Sequence, residues 1–154
     1  MIRKAENRDI PAILKLLKQV EAVHHAIRPD VFKPNAAKYS AAELEQILRD
    51  EKTPVFVYTD AEDAVQGYAF CILHMWESAL LQKRKSVYID DLCVDEACRG
   101  KHIGTALYAY VKDFAKSVGA DSLTLNVWEG NDSAKAFYEH LGMSVQRTTM
   151  EDKF

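Results

Sequence analysis

Val94-Asp95-Glu96-Ala97-Cys98-Arg99-Gly100-Lys101-His102-Ile103-Gly104-Thr105-Ala106-Leu107 is the stretch on which the reading of this chain turns. An apolar, β-rich segment, Val87 to Val94, runs into it, and a strongly periodic amphipathic helix leaves it at Ile103. Arg99, Gly100, Lys101 and Gly104 therefore lie where a strand ends and a helix begins. The first amides of a helix have no partner within it, and the aligned peptide dipoles leave about half a positive charge there. Such an end holds phosphate groups, and glycine lets a backbone approach them closely. Arg99 and Lys101 add mobile positive charge. The local expectation is a pyrophosphate cradle over residues 99–105.

Two common phosphate loops do not fit. A Walker loop needs Gly-Lys followed by Ser or Thr, and here Gly104 meets Thr105 with no lysine between. A Rossmann fingerprint needs Gly-x-Gly-x-x-Gly, whereas Lys-His-Ile separates Gly100 from Gly104. An ordinary basic turn closed by glycines is the plain alternative.

Outward from this stretch, the periodicities place the remaining elements. Upstream, Ile2–Lys4 reads as a strand. Asp9 can cap a helix through about Val23, with Ile10, Ile13, Leu14, Leu17 and Val20 as its stripe. Residues 26–40 hold Pro29 and Pro34 without a period and read as a loop, followed by a helix over 41–49. Residues 55–59 and 65–75 read as antiparallel strands joined by an acidic turn, and 85–94 as the strand entering the cradle. Downstream, Ile103, Leu107, Tyr110, Val111, Phe114 and Val118 define a helix ended by Gly119. Alternation predicts a strand over 122–128, helical spacing a helix over 133–141 closed by Gly142, and a last strand over about 143–150. This order gives an α/β or α+β sandwich.

Asn131-x-x-Ala134-x-x-Phe137-Tyr138-x-x-x-Gly142 follows the cradle at the right remove. With Arg99-x-x-His102-x-Gly104 it makes the chain resemble the GCN5-related N-acetyltransferase (GNAT) family, as a small bacterial-type member. The likeness is loose over residues 1–84 and close over 85–143. It implies a GNAT fold: a central mixed, mostly antiparallel sheet of six to seven strands, splayed between the fourth and fifth, with about four helices. Residues 1–154 are then a single N-acetyltransferase domain. It implies acetyl-CoA as cofactor, with coenzyme A as product and no metal. Leu92, Cys93 and Val94 would offer a strand edge to the pantetheine arm. Arg99, Gly100, Lys101, His102, Ile103, Gly104 and Thr105 would hold the pyrophosphate. Asn131 would contact the cofactor or order the turn, and Tyr138 would give a proton to the leaving sulfur. The departure is His102, where the family commonly has glycine. A positive φ there would cost about 1 kcal/mol or more; our reading gives it ordinary helical angles, because the family tolerates variation at this position.

Asp90 and Asp91 are consecutive carboxylates inside an apolar strand. Side chains alternate along a strand, so one faces each side unless a bulge redirects them. An interior carboxylate is desolvated, and its raised pKa suits a base that takes the proton from an acceptor amine. Which of the two faces the acceptor cavity is open at this point; a solvent-facing charge or a salt bridge is the plain alternative. Diamine acetyltransferases of the resembling family carry a similar pair, which favours a cationic amine. The region that shapes the acceptor pocket in that family holds His25, Asp30 and Phe32, which join Asp91 as candidate substrate contacts; His24-His25 as a pair fit a solvent-exposed helix end. His74, Trp76 and Trp128 fit packing roles. Without its motif, Tyr138 reads as a half-buried aromatic.

Composition bounds the rest. A chain of 154 residues suits one domain. Net charge of −3 and a pI near 5.9 argue against nucleic-acid binding. No apolar run nears the ~20 residues that cross a bilayer, and no signal-peptide core opens the chain, so a cytoplasmic protein without membrane attachment is expected. Cys71, Cys93 and Cys98 make an odd count without metal-site spacing and read as small buried hydrophobes. The expected activity is direct acetyl transfer to a primary amine, that of a small molecule before that of a protein N-terminus or lysine. A non-catalytic acetyl-CoA sensor is the alternative of another class. A homodimer is the assembly the resemblance implies.

Overall fold

The computed structural model describes residues 1–154. In chain order the elements are β1 (Ile2–Lys4), α1 (Ile10–Ile27), α2 (Ala41–Arg49), β2 (Val55–Thr59), β3 (Val65–Trp76), β4 (Arg84–Val94), α3 (Ile103–Ser117), β5 (Ser122–Leu125) and α4 (Asp132–His140). The strands form one sheet in the order β1-β2-β3-β4-β5. Pairing is antiparallel through β4, and β5 lies parallel to β4. A mixed, mostly antiparallel sheet with four helices is the GNAT architecture the sequence points to.

Alternation along the strands separates two cores. Val55, Val57, Tyr68, Phe70 and Cys93 face α1 and α2, where Ile13, Leu16, Leu17, Leu44 and Leu48 cover them. Phe56, Ala69, Cys71, Val87 and Ile89 face the other way, onto Ile103, Leu107, Tyr108, Val111 and Ala115 of α3. Gly67 lets α3 settle against β3: a Cβ there would stand 2.8 Å from the Cys93 carbonyl oxygen and 3.2 Å from a Leu107 methyl. Truncating a fully buried residue such as Leu107 to alanine costs about 2–5 kcal/mol.

Two features of this frame position the site. The β4–β5 pairing begins at Ser86↔Ser122 and ends at Ile89↔Leu125, while β4 continues to Val94. The strands part there, as expected, and leave one edge of residues 90–94 without a β5 partner. On the opposite face, Ser40 and Glu43 cap α2 reciprocally: the Glu43 amide donates to Ser40 Oγ at 3.3 Å, and the Ser40 amide to Glu43 Oε2 at 2.7 Å. This fixes Lys38 and Tyr39 immediately before the helix.

Expectations for α1, β5 and the last segment are corrected. Helix α1 runs to Ile27 rather than Val23, and Asp9 does not cap it with its side chain. Its carboxylate instead accepts from the Glu6 amide at 2.8 Å and pairs bidentately with Arg3 at 2.7 and 2.9 Å. Burial pushes the Asp9 carboxyl up, but these partners outweigh it and hold it below the usual range. Strand β5 stops at Leu125 rather than residue 128, and residues 143–150 form no strand, so the sheet has five strands rather than six or seven. Alternation gave that last segment the right pattern, but no edge of the same chain pairs with it: residues 144–154 make no backbone hydrogen bond. No helix is long and apolar enough to cross a membrane.

Candidate active site

A bulge in β4 decides where the two carboxylates go. Phe70 pairs with Asp91 and Cys71 with Ile89, so Asp90 is an extra residue opposite nothing. Before the bulge Val87 and Ile89 face α3; beyond it Leu92 does, and Cys93 faces α1. The parity shift at the bulge turns Asp90 and Asp91 toward the same face. Asp90 Oδ2 accepts from Lys38 Nζ at 2.9 Å and from the Tyr39 hydroxyl at 3.0 Å. Asp91 is 8% exposed, and its Oδ2 accepts from the Tyr68 hydroxyl at 2.8 Å. Desolvation pushes the Asp91 pKa up and Asp90 adds to the rise, while Lys38, the Tyr68 bond and His24 pull against it; the net shift is upward. For Lys38 burial opposes the charge, but the hydrogen bond to Asp90 and the fields of both carboxylates hold its pKa above the ordinary lysine value.

On the other side of β4 the chain leaves its hydrogen bonds open. Past Val94, Asp95 closes a short turn by accepting from the Ala97 amide at 3.1 Å. Gly100 and His102 then take positive φ of 80° and 58°. These two reversals turn the chain into α3, whose first backbone bond outside the regular ladder runs from the Ala106 amide to the His102 carbonyl at 3.0 Å. The amides of Gly100, Lys101, His102, Ile103, Gly104 and Thr105 donate to no group of the chain. Six unpaired donors at the positive end of a helix make an anion site. Arg99 and Lys101 are among the residues that form no ion pair. A cavity of about 370 Å³ opens here, lined by Leu92 and Val94 of β4, by residues 99, 100 and 102–105 of the loop and helix, and by Phe137 of α4. Gly104 keeps it open: a Cβ would stand 3.3 Å from the Phe137 ring.

His102 contradicts the expectation of ordinary helical angles. It caps α3 in the left-handed region at φ 58°, ψ 18°. This is the conformation that makes glycine favourable at such a position, and histidine carries it at about 1 kcal/mol.

Tyr138 lies on α4, which Asn131 starts by accepting from the Ala134 amide at 3.3 Å. Its ring packs on Phe137 at 5.0 Å and faces Tyr108 at 6.3 Å. The hydroxyl makes no hydrogen bond to the chain, and burial, with Asp91 and Tyr108 adding to it, drives its pKa upward. A phenol in that state keeps its proton throughout the neutral range and has it free to give.

Several expected residues sit otherwise than as direct contacts. The Cys93 side chain turns away from the cavity into the α1 core, its sulfur 3.8 Å from the Leu16 carbonyl oxygen, and burial pushes its thiol up to about 12. Lys101 is exposed and does not line the cavity. Phe32 stacks on His24 with centroids 5.0 Å apart and meets Trp128 edge-on at 5.4 Å. The His25 ring pairs through Nδ1 with the Phe32 carbonyl at 2.7 Å. Asp30 is engaged by Arg28 at 2.8 Å and Lys153 at 3.0 Å, and Arg28 drives its pKa far down. Lys38, Tyr39 and Tyr68 escaped the sequence reading. Tyr68 shares the Phe70 face by simple alternation, but its meeting with Asp91 depends on the bulge. No group of His, Cys, Asp and Glu could hold a metal ion.

Comparison with known proteins bears on this arrangement. The acetyltransferase (GNAT) family model matches residues 20–143. The crystal structure of a mutant BH1408 protein from Bacillus halodurans superposes with a TM-score of 0.95 at 34% identity, covering 100% of this chain and 99% of that one. The aminoglycoside N-acetyltransferase AAC(6')-Iy in complex with CoA gives 0.75 at 15% identity, covering 100% and 98%, a likeness of fold alone. A glucosamine 6-phosphate N-acetyltransferase of Arabidopsis thaliana is 34% identical over 70 residues, 46% of this chain and 45% of the relative. The match therefore spans less than half of that relative. Since the family model takes in everything from the middle of α1 to the end of α4, both sides of β4 included, the chain belongs to the GNAT acetyltransferase family.

Proposed function

We propose that this acetyltransferase takes its acetyl group from acetyl-CoA and transfers it to the primary amine of a small molecule. The observation that carries the donor half is the run of six unpaired amides, Gly100 to Thr105, beside the opening between β4 and β5. These amides, with Arg99 and Lys101, would hold the diphosphate. The unpaired edge of Leu92, Cys93 and Val94 suits an amide-bearing arm, through backbone atoms that the inward turn of the Cys93 side chain does not affect. Asn131 orders the turn ahead of α4.

Acetyl-CoA supplies an activated acyl group and a thiolate that departs. The residues of the chain manage the protons. An alkyl ammonium has a pKa near 10.4 and must lose a proton before it can attack. Asp91, buried and with a raised pKa, takes it directly or through water, while the Tyr68 hydroxyl holds the carboxylate in place. A backbone N–H at the end of β4 meets the developing charge on the acyl oxygen. Tyr138 returns a proton to the sulfur.

Asp90 has a different part. With Lys38 bound to it, the acid pair presents one uncompensated carboxylate instead of two. That supports an acceptor with a single reactive amine over a polyamine. His25, Asp30 and Phe32 would frame the entrance, and the name of one relative, for glucosamine 6-phosphate, supports an amino sugar. Three free thiols support a reducing, cytoplasmic setting.

The test is an acetylation panel of amino sugars, polyamines, lysine peptides and free peptide N-termini, read by thiol release. Thiol release with amino sugars or other small monoamines is expected. Turnover only with peptides would move the acceptor to proteins, and cofactor binding without any turnover would make the chain a sensor.

A further inference from the structure

We infer that Glu21 of α1 is a specificity-determining residue of the acceptor pocket: its carboxylate accepts a hydrogen bond from a second donor of the acceptor, a hydroxyl or an ammonium set apart from the amine that is acetylated. This deepens the small-amine reading above, on which it rests, by naming the acceptor's second functional group and the residue that reads it.

Position along α1 makes this residue unusual. Ile13, Leu16 and Leu17 of the same helix are fully buried in the core under the sheet. Four residues on from Leu17, where helical spacing calls for another apolar side chain, stands Glu21, 9% exposed. Glutamate is almost never buried this far without a partner. Three polar neighbours on the helix have theirs: Gln19 accepts from the Glu96 amide at 3.1 Å, Lys15 faces Asp95 at 3.9 Å, and the His25 ring pairs with the Phe32 carbonyl at 2.7 Å. The Glu21 carboxylate has no hydrogen bond and no ion pair with any cation of the chain. Yet no buried side-chain oxygen is both sealed from solvent and unpaired. The Glu21 oxygens therefore open onto accessible space, although the rest of the residue does not.

That space adjoins the acid pair. The Leu16 carbonyl oxygen lies 3.8 Å from the Cys93 sulfur. From this contact α1 advances about 7.5 Å to Glu21, and β4 runs about 7 Å back to Asp91. Both go the same way, because the field of His24, still further along α1, reaches the Asp91 carboxyl. Glu21 itself acts on the Tyr68 hydroxyl that is bonded to Asp91 at 2.8 Å: burial drives the Tyr68 pKa up, Asp91 adds to the rise, and Glu21 adds a further part. The three carboxylates of the pocket then divide. Asp90 already has Lys38 and Tyr39, Asp91 has Tyr68 and takes the proton of the reacting amine, and Glu21 has nothing. An acceptor seated there shuts Glu21 off from water. One that brings a donor for the carboxylate is favoured, and one that does not is rejected, because a covered charge without a donor loses its hydration uncompensated.

Steady-state acetylation of three small amines by the full chain with acetyl-CoA tests this: an amino alcohol, a diamine and a plain alkylamine of similar size. The wild type should favour the amino alcohol or the diamine over the plain amine by about tenfold or more in kcat/KM. Glu21→Met, which places an apolar side chain of nearly the same shape, should bring that ratio close to unity, mainly through KM. Glu21→Gln keeps an accepting oxygen without the charge, so it should retain a preference for a hydroxyl and lose one for an ammonium. Turnover without a preference in the wild type, a preference that Glu21→Met leaves in place, or an equal loss on all three amines would overturn this inference alone. No turnover of any amine would overturn the small-amine reading, and this inference with it. Thermal melting gives a readout independent of activity. Because no group of the chain depends on this carboxylate, Glu21→Met should melt no lower than the wild type. A lower Tm, or failure to fold, would show a structural role and overturn the assignment.

Discussion

The two sides of β4 hold the same materials in opposite states. Along residues 99–105 the backbone amides are unpaired and the nearby cations form no ion pair, so the region is a set of donors without acceptors. Around Asp90 and Asp91 each carboxylate already has its donors, Lys38 and Tyr39 for one and Tyr68 for the other. An anion completes the first region. The second needs nothing added, and what it can do is hold or release a proton. One strand thus separates a region of unpaired donors from a region of paired carboxylates, and the bulge at Asp90 turns both carboxylates to the same face.

That contrast can be broken one side at a time. The largest effect is expected from Asp91→Asn, which should lower kcat by roughly 100- to 1,000-fold while acetyl-CoA titrates with unchanged affinity. The pH profile sharpens it. Because the Asp91 pKa is raised above its ordinary 3.8, the base form is lost on acidification earlier than for a solvent-exposed aspartate, so the acidic limb of kcat should lie above 3.8. Tyr68→Phe removes a donor that favours the ionised form, and the limb should move to still higher pH.

Next comes Tyr138→Phe. Loss of the proton given to sulfur should reduce kcat by roughly 100-fold, again without weakening the cofactor, since the ring is kept. Stopped-flow turnover beside a binding titration separates the two effects. The smallest expected change is from His102→Gly. Relief of the left-handed residue, less the extra chain entropy of glycine, should add up to about 0.5 kcal/mol, a rise of up to about 2 °C in Tm by calorimetry. Its amide remains, so cofactor affinity should hold.

Much of this was legible in the residues. The stripe of α3 and the spacing from Asn131 to Gly142 are local signals, and each gave a helix close to its observed bounds. What escaped depends on pairing. Alternation along 87–94 cannot reveal that Asp90 is one residue too many for β3, because the bulge exists only in the partner's register. Lys38 and Tyr39 belong to a stretch without a period and find Asp90 across 52 and 51 residues of chain. His102 was read as helical although it precedes the helix, because glycine tolerance at one backbone angle leaves no trace in hydrophobic spacing. The 143–150 segment has strand chemistry yet bonds to no strand of its own chain, and alternation alone does not report whether a segment is paired.

The central claim is that the amides of residues 100–105 are the donors for the diphosphate of acetyl-CoA. A titration of the 15N-labelled protein with coenzyme A, followed amide by amide, tests it directly. The account predicts that Gly100, Lys101, His102, Ile103, Gly104 and Thr105 show the largest downfield amide-proton shifts, saturating together. Shifts centred on other residues, with this run unmoved at saturation, would contradict it.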